Sequence, residues 1–301
     1  DNIALITWDC LDKSMNTMTE GGLKSFQKLV IEALSDDKIK GIIITSGKAD
    51  FSGGMDLSTL EGLKRNSGPN PTSKIFDYIM EGHKLLRKIE LGKIDDTFKS
   101  KPVAFAGGGI CAGIGTEIGL ACHRRFFSGS KRSKIGLPEI LVGLFPGLGG
   151  TTRVARMMGL MGASSVLLEG KLFAGDKAKS IGLVDEVVSE DELIQKAKNW
   201  VLSASPQDLI KPWDQKGFKF PGGAPYHPGG FMSFVGASAL VNGKTKGLYA
   251  SAKALLSSVY EGALVDFESA LKIEARWFTK VLMTDTCTNM ARTLFLNKSA
   301  L

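Results

Sequence analysis

The sequence contains few of the side chains that build disulfide frameworks and metal centres. It has four cysteines and three histidines among 301 residues, and neither type is spaced as CxxC, HxH or HxxxH: Cys10, Cys111, Cys122, Cys287, His83, His123 and His227. Disulfide scaffolds and zinc sites depend on such spacings. We therefore expect reduced thiols in a cytoplasmic protein, and no metal site.

Long apolar runs are also missing. None reaches the roughly 18–20 residues that are needed to span a bilayer, and the opening "DNIALITWDC" has neither the basic flank nor the apolar core of a signal peptide. Since 43% of the residues are hydrophobic and 23% are charged, we expect a globular protein without a membrane span. The chain begins with Asp1 and ends at "NKSAL", so we also expect a fragment or an edited chain.

The charge balance is basic, with a formal net charge of +7 at pH 7. A basic surface suits anionic partners, among them phosphorylated small molecules. The lysines and arginines are spread along the chain, and they form neither a basic helix nor a pattern interleaved with aromatic residues. We therefore expect no nucleic-acid partner.

Segments typical of strands and helices alternate in the first 205 residues. Apolar and β-branched runs predict strands over 3–9, 40–47, 101–108 and 182–189. Amphipathic patterns predict helices over 19–37, 74–92 and 190–204. The first helix has a predicted apolar face formed by Leu23, Phe26, Leu29, Val30 and Leu34. This alternation predicts an α/β fold.

The last third of the chain has a different composition. Residues 206–246 are rich in Pro, Gly and aromatic residues, which predicts an ordered connector with little regular structure. Residues 247–301 follow as a helical segment with an apolar stripe, formed by Phe267, Ala270, Leu271, Phe278 and Val281. Such a stripe faces either a core or a partner. We therefore predict three parts, with residues 1–205 as the catalytic domain.

Two carboxylates stand alone in apolar, glycine-rich stretches. Glu117 follows the turn "GGGICAGIG" at the start of a predicted helix, and Glu139 follows Pro138 in "IGLPEILVGLFPGLGG". Free N–H groups at a helix start can hold an anion, or an oxygen that becomes negative during a reaction. Dry surroundings raise the pKa of a carboxyl group towards the range that serves acid–base catalysis near neutral pH. The two glutamates are therefore candidates for acid–base catalysis.

Simpler roles for these residues stay open. A glutamate in the first turn of a helix commonly stabilises the helix dipole, and a glutamate after proline commonly lies in a surface loop. A nucleotide-binding turn fits less well, because Ile118 follows Gly113 and Gly115 at the position where GxGxxG requires its last glycine.

The stretch "KPVAFAGGGICAGIGTEIGLACHRRFF", together with "KIGLPEILVGLFPGLGGTTRV", resembles the enoyl-CoA hydratase/isomerase (crotonase) family. "GKADFSGGMDLSTL" and "SMNTM" resemble two further motifs of that family. The resemblance covers about residues 1–205 and implies a crotonase-like spiral of repeated ββα units. Beyond it, "KPWDQKGFKFPGG" and the helical segment resemble the connector of bifunctional fatty-acid oxidation alpha subunits. In those proteins an NAD-dependent 3-hydroxyacyl-CoA dehydrogenase part follows, so the resemblance implies that this chain is the amino-terminal hydratase part.

The resemblance also implies a mechanism. The carbonyl oxygen of a 2-trans-enoyl-CoA binds between the backbone N–H groups of Met55 and Ile114, while Glu117 and Glu139 hold one water. Glu117 activates the water for attack on C3, and Glu139 supplies the proton to C2. This hydration needs no cofactor, since coenzyme A is part of the substrate.

Further substrate-binding residues are implied in the two glycine-rich loops and on nearby lysines: Gly53, Gly54, Asp56, Leu57, Gly113, Lys13 and Lys48, with Lys64 as another candidate cation. A single surface lysine is more commonly only a solvated charge. Ile114 departs from the glycine that is usual in the family, and a β-branched residue tolerates positive φ badly. We therefore expect a helical or bridge φ at Ile114, with Gly113 and Gly115 absorbing the turn.

Two other functions stay open. Δ3,Δ2-Enoyl-CoA isomerisation on the same site needs only one carboxylate, so the presence of both Glu117 and Glu139 favours hydration. A noncatalytic scaffold would instead use the helices of residues 247–297 to dock a dehydrogenase part and a thiolase subunit. Besides the acyl-CoA substrate, the resemblance implies either self-association or a complex with a thiolase subunit.

Overall fold

Within the residues that the computed structural model describes, 1–66 and 68–293, the main sheet has five parallel strands, which lie side by side in the order Ile3–Trp8, Gly41–Ser46, Val103–Gly107, Arg124–Ser128 and Glu186–Val188. The described strands, in chain order, are β1 Ile3–Trp8, β2 Gly41–Ser46, β3 Val103–Gly107, β4 Ile110–Ala112, β5 Arg124–Ser128, β6 Lys134–Gly136, β7 Leu172–Ala174 and β8 Glu186–Val188. A second sheet pairs β4 in parallel with β6, and β6 antiparallel with β7. The parallel sheet and its crossovers confirm the predicted α/β class.

The helices follow the strands along the chain and then continue alone. In chain order the described α-helices are α1 Glu20–Ser35, α2 Leu57–Asn66, α3 Pro71–Leu91, α4 Ile114–Ala121, α5 Gly150–Leu167, α6 Gly175–Ser180, α7 Leu193–Ser203, α8 Pro228–Thr245, α9 Ala250–Gly262, α10 Phe267–Leu282 and α11 Asp285–Ala291. Short 3₁₀ helices cover Glu139–Val142, Pro206–Leu209 and Pro212–Asp214. None of the helices in the described residues is long and apolar enough to cross a membrane.

The chain divides into two compact units. The first comprises Asp1–Met55, Lys84–Gly136 and Leu172–Gln215. The second comprises Asp56–His83, Leu137–Lys171 and, as far as it is described, Lys216–Leu301. The first unit holds both sheets, and the second is built from helices. The predicted division into 1–205, 206–246 and 247–301 stays a prediction.

The core of the first unit forms where α7 covers the main sheet. The central strands of a parallel sheet are covered on both faces, so their sequences are mostly apolar, as "GIIITS" in β2 and "VAFAG" in β3 illustrate. Leu193, Ala197 and Val201 of α7 pack against the buried side chains of β2, β3 and β5. This packing fixes the position of β3, which leads directly into the glycine-rich turn.

In the second unit, the predicted stripe of α10 is buried. Phe267, Ala270, Leu271, Phe278 and Val281 are each at most 6% exposed, and α10 packs against α9 and α5. Glu274 of the same helix is completely buried. Its carboxylate accepts hydrogen bonds of 2.6 Å from the N–H of Gly149 and 2.8 Å from the N–H of Thr152. A charged group of α10 therefore caps the start of α5, where N–H groups lack partners within the helix.

Some local predictions are wrong. Leu29 is 46% exposed, because its helical position lies about 100° from the buried Val30 and beyond the edge of the stripe. Residues 206–246 contain the 18-residue helix α8, against the expected irregular connector. Its glycines give it low intrinsic helix propensity, and packing against α9 and α5 overrides that weakness. The strand β4 also intervenes between the glycine-rich turn and α4, where the sequence predicts direct passage into the helix.

We predict that Glu274→Ala lowers the free energy of unfolding by roughly 2–4 kcal/mol, because it leaves two buried N–H donors without an acceptor. Lys272→Ala is the matched control, since Lys272 lies on the exposed side of the same helix. Urea unfolding followed by circular dichroism measures both variants. Equal stability of the two variants would contradict the capping role.

Candidate active site

The glycine turn (residues 107–109) is pressed against the loop that follows β2. Gly109 has a φ of +60°, and a Cβ at this position would lie 2.1 Å from the carbonyl oxygen of Ala49. The N–H of Ile110 donates a 2.7 Å hydrogen bond to Oδ1 of Asp50. Only glycine combines this φ with such a close approach. The turn therefore brings β4 alongside the loop after β2.

Two segments then run in parallel register. Ser52 pairs with Cys111 as a parallel bridge, and its N–H and C=O make hydrogen bonds of 2.9 and 2.8 Å with the residues on either side of Cys111. Met55 lies three residues after Ser52, and Ile114 lies three residues after Cys111. Both predicted backbone donors therefore follow the bridged pair closely, on two segments of the first unit.

The start of α4 agrees in part with the prediction. Gly113 takes a φ of +58°, and Ile114 is the first residue of the helix, so the expectation of a helical backbone at Ile114 is confirmed. The expectation that Gly115 also absorbs the turn is wrong, because Gly115 lies within the helix and is not among the residues with positive φ. It is needed for space: a Cβ there would lie 2.7 Å from the Cβ of Ser52.

The N–H groups of Met55 and Ile114 are available as donors. Within the described part of the chain, neither donates to a protein acceptor, whereas the N–H groups of Gly113 and Glu117 donate to the carbonyls of Gly136 and Gly113. The first N–H groups of a helix point out of its N-terminus and carry partial positive charge. The two donors can therefore hold an oxygen that gains negative charge.

Glu117 lies one turn into α4. It is 3% exposed, and residues three apart share a helix face, so its side chain is on the face of Ile114. Thr116 fixes this part of the helix, because its hydroxyl lies 2.9 Å from the carbonyl of Cys111 and 2.8 Å from that of Gly136. The nearby Cys111 is a poor nucleophile, since burial raises the pKa of its thiol to about 12.

Asn16 holds the start of the loop of residues 52–55 through hydrogen bonds. It is completely buried, and its Nδ2 lies 2.8 Å from the carbonyl of Trp8, 3.0 Å from Oγ of Ser46 and 3.2 Å from the carbonyl of Phe51. Its Oδ1 accepts a 2.8 Å hydrogen bond from the N–H of Cys10. The sequence draws attention to "SMNTM" only by resemblance, and the structure shows the physical role of its asparagine.

Glu139 belongs to the second unit. It begins the 3₁₀ helix Glu139–Val142 directly after Pro138, and Gly143 ends that helix with a φ of +76°. A Cβ on Gly143 would lie 2.9 Å from Sδ of Met290, so the turn is held closely against α11. Glu139 is half-buried, and its Oε2 is shielded from solvent. The acid–base partnership of Glu117 and Glu139 stays a prediction.

The predicted substrate-binding residues of the first unit have defined local partners. Lys48 forms a 2.8 Å ion pair with Asp9, and Lys13 donates a 2.9 Å hydrogen bond to Thr17. The N–H of Gly53 donates to the carbonyl of Asn16 at 2.8 Å, and Gly54 takes a φ of +103° just before Met55. These contacts shape the loop, and the roles of these residues towards a substrate stay predictions.

The other predicted substrate-binding residues lie in the second unit. Asp56 caps the start of α2 by accepting a 2.9 Å hydrogen bond from the N–H of Ser58. Leu57 and Lys64 of α2 line a small crevice of about 20 Å³ with Leu144. Among the described residues, no cluster of three or more His, Cys, Asp or Glu side chains is arranged to hold a metal ion.

His123 lies just beyond α4 and is held in its neutral form. Its Nδ1 accepts a 2.9 Å hydrogen bond from the N–H of Val103. Burial, followed by the positive charge of Lys211, lowers the pKa of His123 from its usual 6.5 to about 3. It therefore serves as a neutral link between α4 and β3.

Comparison with known proteins identifies the family of this chain. Residues 1–207 match the family model described as enoyl-CoA hydratase/isomerase. A curated relative, the fatty acid oxidation complex subunit alpha of Shewanella amazonensis, is 34% identical over 287 residues, which cover 94% of this chain and 38% of the relative. The glyoxysomal fatty acid beta-oxidation multifunctional protein MFP-a of Cucumis sativus is 29% identical, with 99% of this chain and 39% of the relative covered.

Solved structures share the fold. A carnitinyl-CoA dehydratase from Mycobacterium thermoresistibile aligns with a TM-score of 0.68 at 20% identity, covering 98% of this chain and 88% of that one. An enoyl-CoA hydratase from Mycobacterium avium subsp. paratuberculosis aligns with a TM-score of 0.64 at 20% identity, covering 99% and 93%. The predicted crotonase-like architecture with a helical C-terminal segment is thereby confirmed. The chain spans less than two fifths of the length of the curated relatives named above.

We predict that Gly115→Ala lowers the free energy of unfolding by about 1–3 kcal/mol, because the added methyl group overpacks against Ser52. Gly21→Ala is the control, since no atom lies within 4 Å of a Cβ at that helical position. Urea unfolding should show little change or a small gain in stability for the control. A neutral Gly115→Ala would contradict the close approach of α4 and the loop of residues 52–55.

Acid should destabilise the first unit through His123. Between pH 6.5 and about 3 the unfolded chain binds a proton at this residue and the folded chain does not, so stability falls as pH falls. His123→Gln should flatten this part of the curve of unfolding free energy against pH. His227→Gln, at an exposed histidine, is the control and should leave the curve unchanged. Identical curves for the two variants would refute the assignment of this acid destabilisation to His123.

Proposed function

Because the chain belongs to the enoyl-CoA hydratase/isomerase family, we propose that it adds water to a 2-trans-enoyl-CoA and forms a 3-hydroxyacyl-CoA. The observation that carries this proposal is the bridge between Ser52 and Cys111, which joins the loop that leads to Met55 with the segment that leads to Ile114, the first residue of the helix that bears Glu117.

The two backbone donors would act on the thioester carbonyl. As hydroxyl adds to C3, electron density moves through C2 onto the carbonyl oxygen, and this oxygen carries most of the developing negative charge. Fixed N–H groups stabilise such charge without reorganising during the reaction, which makes this the largest expected contribution to the rate. Side chains at Met55 and Ile114 do not remove a backbone donor, so the unusual residues are compatible with this role.

The two carboxyl groups would move the protons. Glu117 takes a proton from water as the oxygen attacks C3, and Glu139 gives a proton to C2. The net change is one water added across the double bond, and proton exchange with solvent restores both groups. The burial of Glu117 beside Ile114 supports its part; the part of Glu139 rests on the family resemblance. Two interacting acids titrate as a pair, so their pH dependence belongs to both.

This step needs no cofactor, because water supplies both the hydroxyl group and the proton, and coenzyme A enters with the substrate. A nicotinamide dinucleotide takes no part in it. The curated relatives are named as parts of fatty-acid oxidation systems. These names support the proposal that the hydration belongs to fatty-acid β-oxidation. We also propose a cytoplasmic location, because the cysteine spacing indicates reduced thiols, and we propose that the chain works either in a self-associated form or in a complex with a thiolase subunit.

Isomerisation of a 3-enoyl-CoA to a 2-enoyl-CoA is the alternative on the same site. It needs the same carbonyl donors but only one carboxylate, which moves a proton between C4 and C2. The presence of both Glu117 and Glu139 favours hydration. The noncatalytic scaffold remains as the function to which a complete lack of turnover would point.

The proposal is tested by following the loss of crotonyl-CoA absorbance. We predict that Glu117→Gln and Glu139→Gln each lower kcat by about 100-fold or more, since a positioned acid–base group contributes on that order. Glu20→Gln is the control, because Glu20 is exposed and forms an ion pair with its helical neighbour Lys24.

The outcomes separate the three functions. Full hydratase activity in both glutamine variants would refute the role of the pair. Isomerase activity that survives Glu117→Gln and not Glu139→Gln would assign a one-base reaction to Glu139. No turnover of any enoyl-CoA by the wild-type chain would leave the scaffold function.

A further inference from the structure

A buried lysine lies at the C-terminal end of the helix that carries Glu117. Lys211 follows α7 and the 3₁₀ helix Pro206–Leu209, and only 6% of the residue is exposed. Its Nζ donates hydrogen bonds of 3.1 Å to the carbonyl of Leu120 and 2.5 Å to the carbonyl of Cys122. These bonds connect segments that lie about ninety residues apart in the sequence.

The lysine supplies a hydrogen bond that the backbone N–H groups at this helix end do not supply. The last carbonyls of an α-helix have no partner within the helix. In α4 the N–H of Cys122 serves the carbonyls of Ile118 and Gly119, and Lys211 serves that of Leu120. Every residue of α4 is buried, so water is a poor substitute for the ammonium group. A cation here also complements the negative end of the helix dipole.

The opposite end of α4 is the candidate catalytic end. The helix has eight residues, so its two ends are only about 12 Å apart. A short helix moves as a rigid body, and a shift at the carbonyl end carries Ile114 and Glu117 with it. We propose that Lys211 is a positioning residue for the hydration reaction: by clamping the C-terminal carbonyls of α4, it sets the place of the Ile114 N–H and of the Glu117 carboxylate.

The segment that carries Lys211 is itself anchored. The next residue is Pro212, and Trp213 is 8% exposed with its ring 5.8 Å from the ammonium group. Asp214 pairs with Arg87 of α3 through hydrogen bonds of 2.8 and 2.5 Å. The lysine is therefore held by fixed neighbours on its own segment and is able to transmit that restraint to α4.

Charged groups from several elements surround the ammonium group. Burial is the main cause that lowers the pKa of Lys211 from 10.5 to about 8, and the positive charge of Arg125 in β5 adds to this effect. Glu90 of α3 and Asp185 just before β8 act in the opposite direction, with a smaller contribution from Cys122. The neighbouring His123 is neutral at these pH values. The clamp therefore loses its charge as the pH rises through about 8.

Loss of the charge of Lys211 should therefore change activity and stability in opposite directions as the pH rises above 8. Above pH 8 the folded protein loses the charge of Lys211 and, with it, the stronger hydrogen bonds to α4, so kcat should fall. Between pH 8 and 10.5 the unfolded chain keeps a proton on this lysine that the folded chain has released, so its contribution to stability rises with pH. A residue with only a structural role would not lower kcat while the fold becomes more stable.

The test rests on the proposed hydratase activity and compares three variants with the wild type. Lys211→Met keeps the length and removes the charge, Lys211→Arg keeps a permanent charge, and Lys216→Met is the control at an exposed lysine. We expect Lys211→Met to lower kcat by roughly 10- to 100-fold with a smaller change in KM, as misplaced catalytic groups do. Its kcat should no longer fall above pH 8, while Lys211→Arg should recover part of the rate and keep it at higher pH.

Hydrogen exchange of the amides of residues 114–122 gives a readout that does not depend on turnover. Faster exchange in Lys211→Met, at a pH where the variant is still folded, supports the clamp. Wild-type rates and pH profile in Lys211→Met, or unchanged exchange, would overturn it. If the wild-type chain itself hydrates no enoyl-CoA, the proposed function fails, and the exchange experiment alone then decides whether Lys211 holds α4.

Discussion

The close approach of α4 to the loop of residues 52–55 is the constraint on which the candidate site depends. The aligned pair Ser52 and Cys111 sets the register, and the missing side chain of Gly115 lets the helix come within contact distance. Any residue larger than glycine would separate the segments that present the two N–H groups. The surrounding features, including the positive φ of Gly109 and the hydrogen bonds of Asn16, all hold one or the other of these two segments in place.

Much of the first unit could be predicted from the sequence, because its central strands β2 and β3 are largely apolar and buried. The apolar runs at β1, β2 and β3 lie within a residue or two of their predicted bounds. Short strands and helices are harder to predict from the sequence. β4 has three residues and is stabilised by its partners β6 and the 52–55 loop, so its own pattern carries little information. The sequence does not predict the helix α8, because its glycines lower its helix propensity and its stability comes from tertiary packing.

In the candidate site, too, some residues can be predicted from the sequence and others cannot. Glu117 and Gly113 stand out because a lone charge and a glycine are unusual in an apolar run, and the local sequence contains both signals. Lys211 carries no such signal. It looks like an ordinary lysine beside a proline, and its importance comes from Leu120 and Cys122, which are distant in sequence. Sequence patterns report on local structure, whereas a contact across ninety residues depends on the complete fold.

That long separation has a consequence for how the protein is made. All five strands of the main sheet are complete once residue 188 has been synthesised, yet the lysine that satisfies the end of α4 is added later, at residue 211. A nascent chain between these two lengths contains the residues of all five strands and still lacks the lysine that donates to the carbonyls at the end of α4. The strands of the main sheet are therefore synthesised before the residue that we propose as the positioning group of α4, which lies in the short segment after α7.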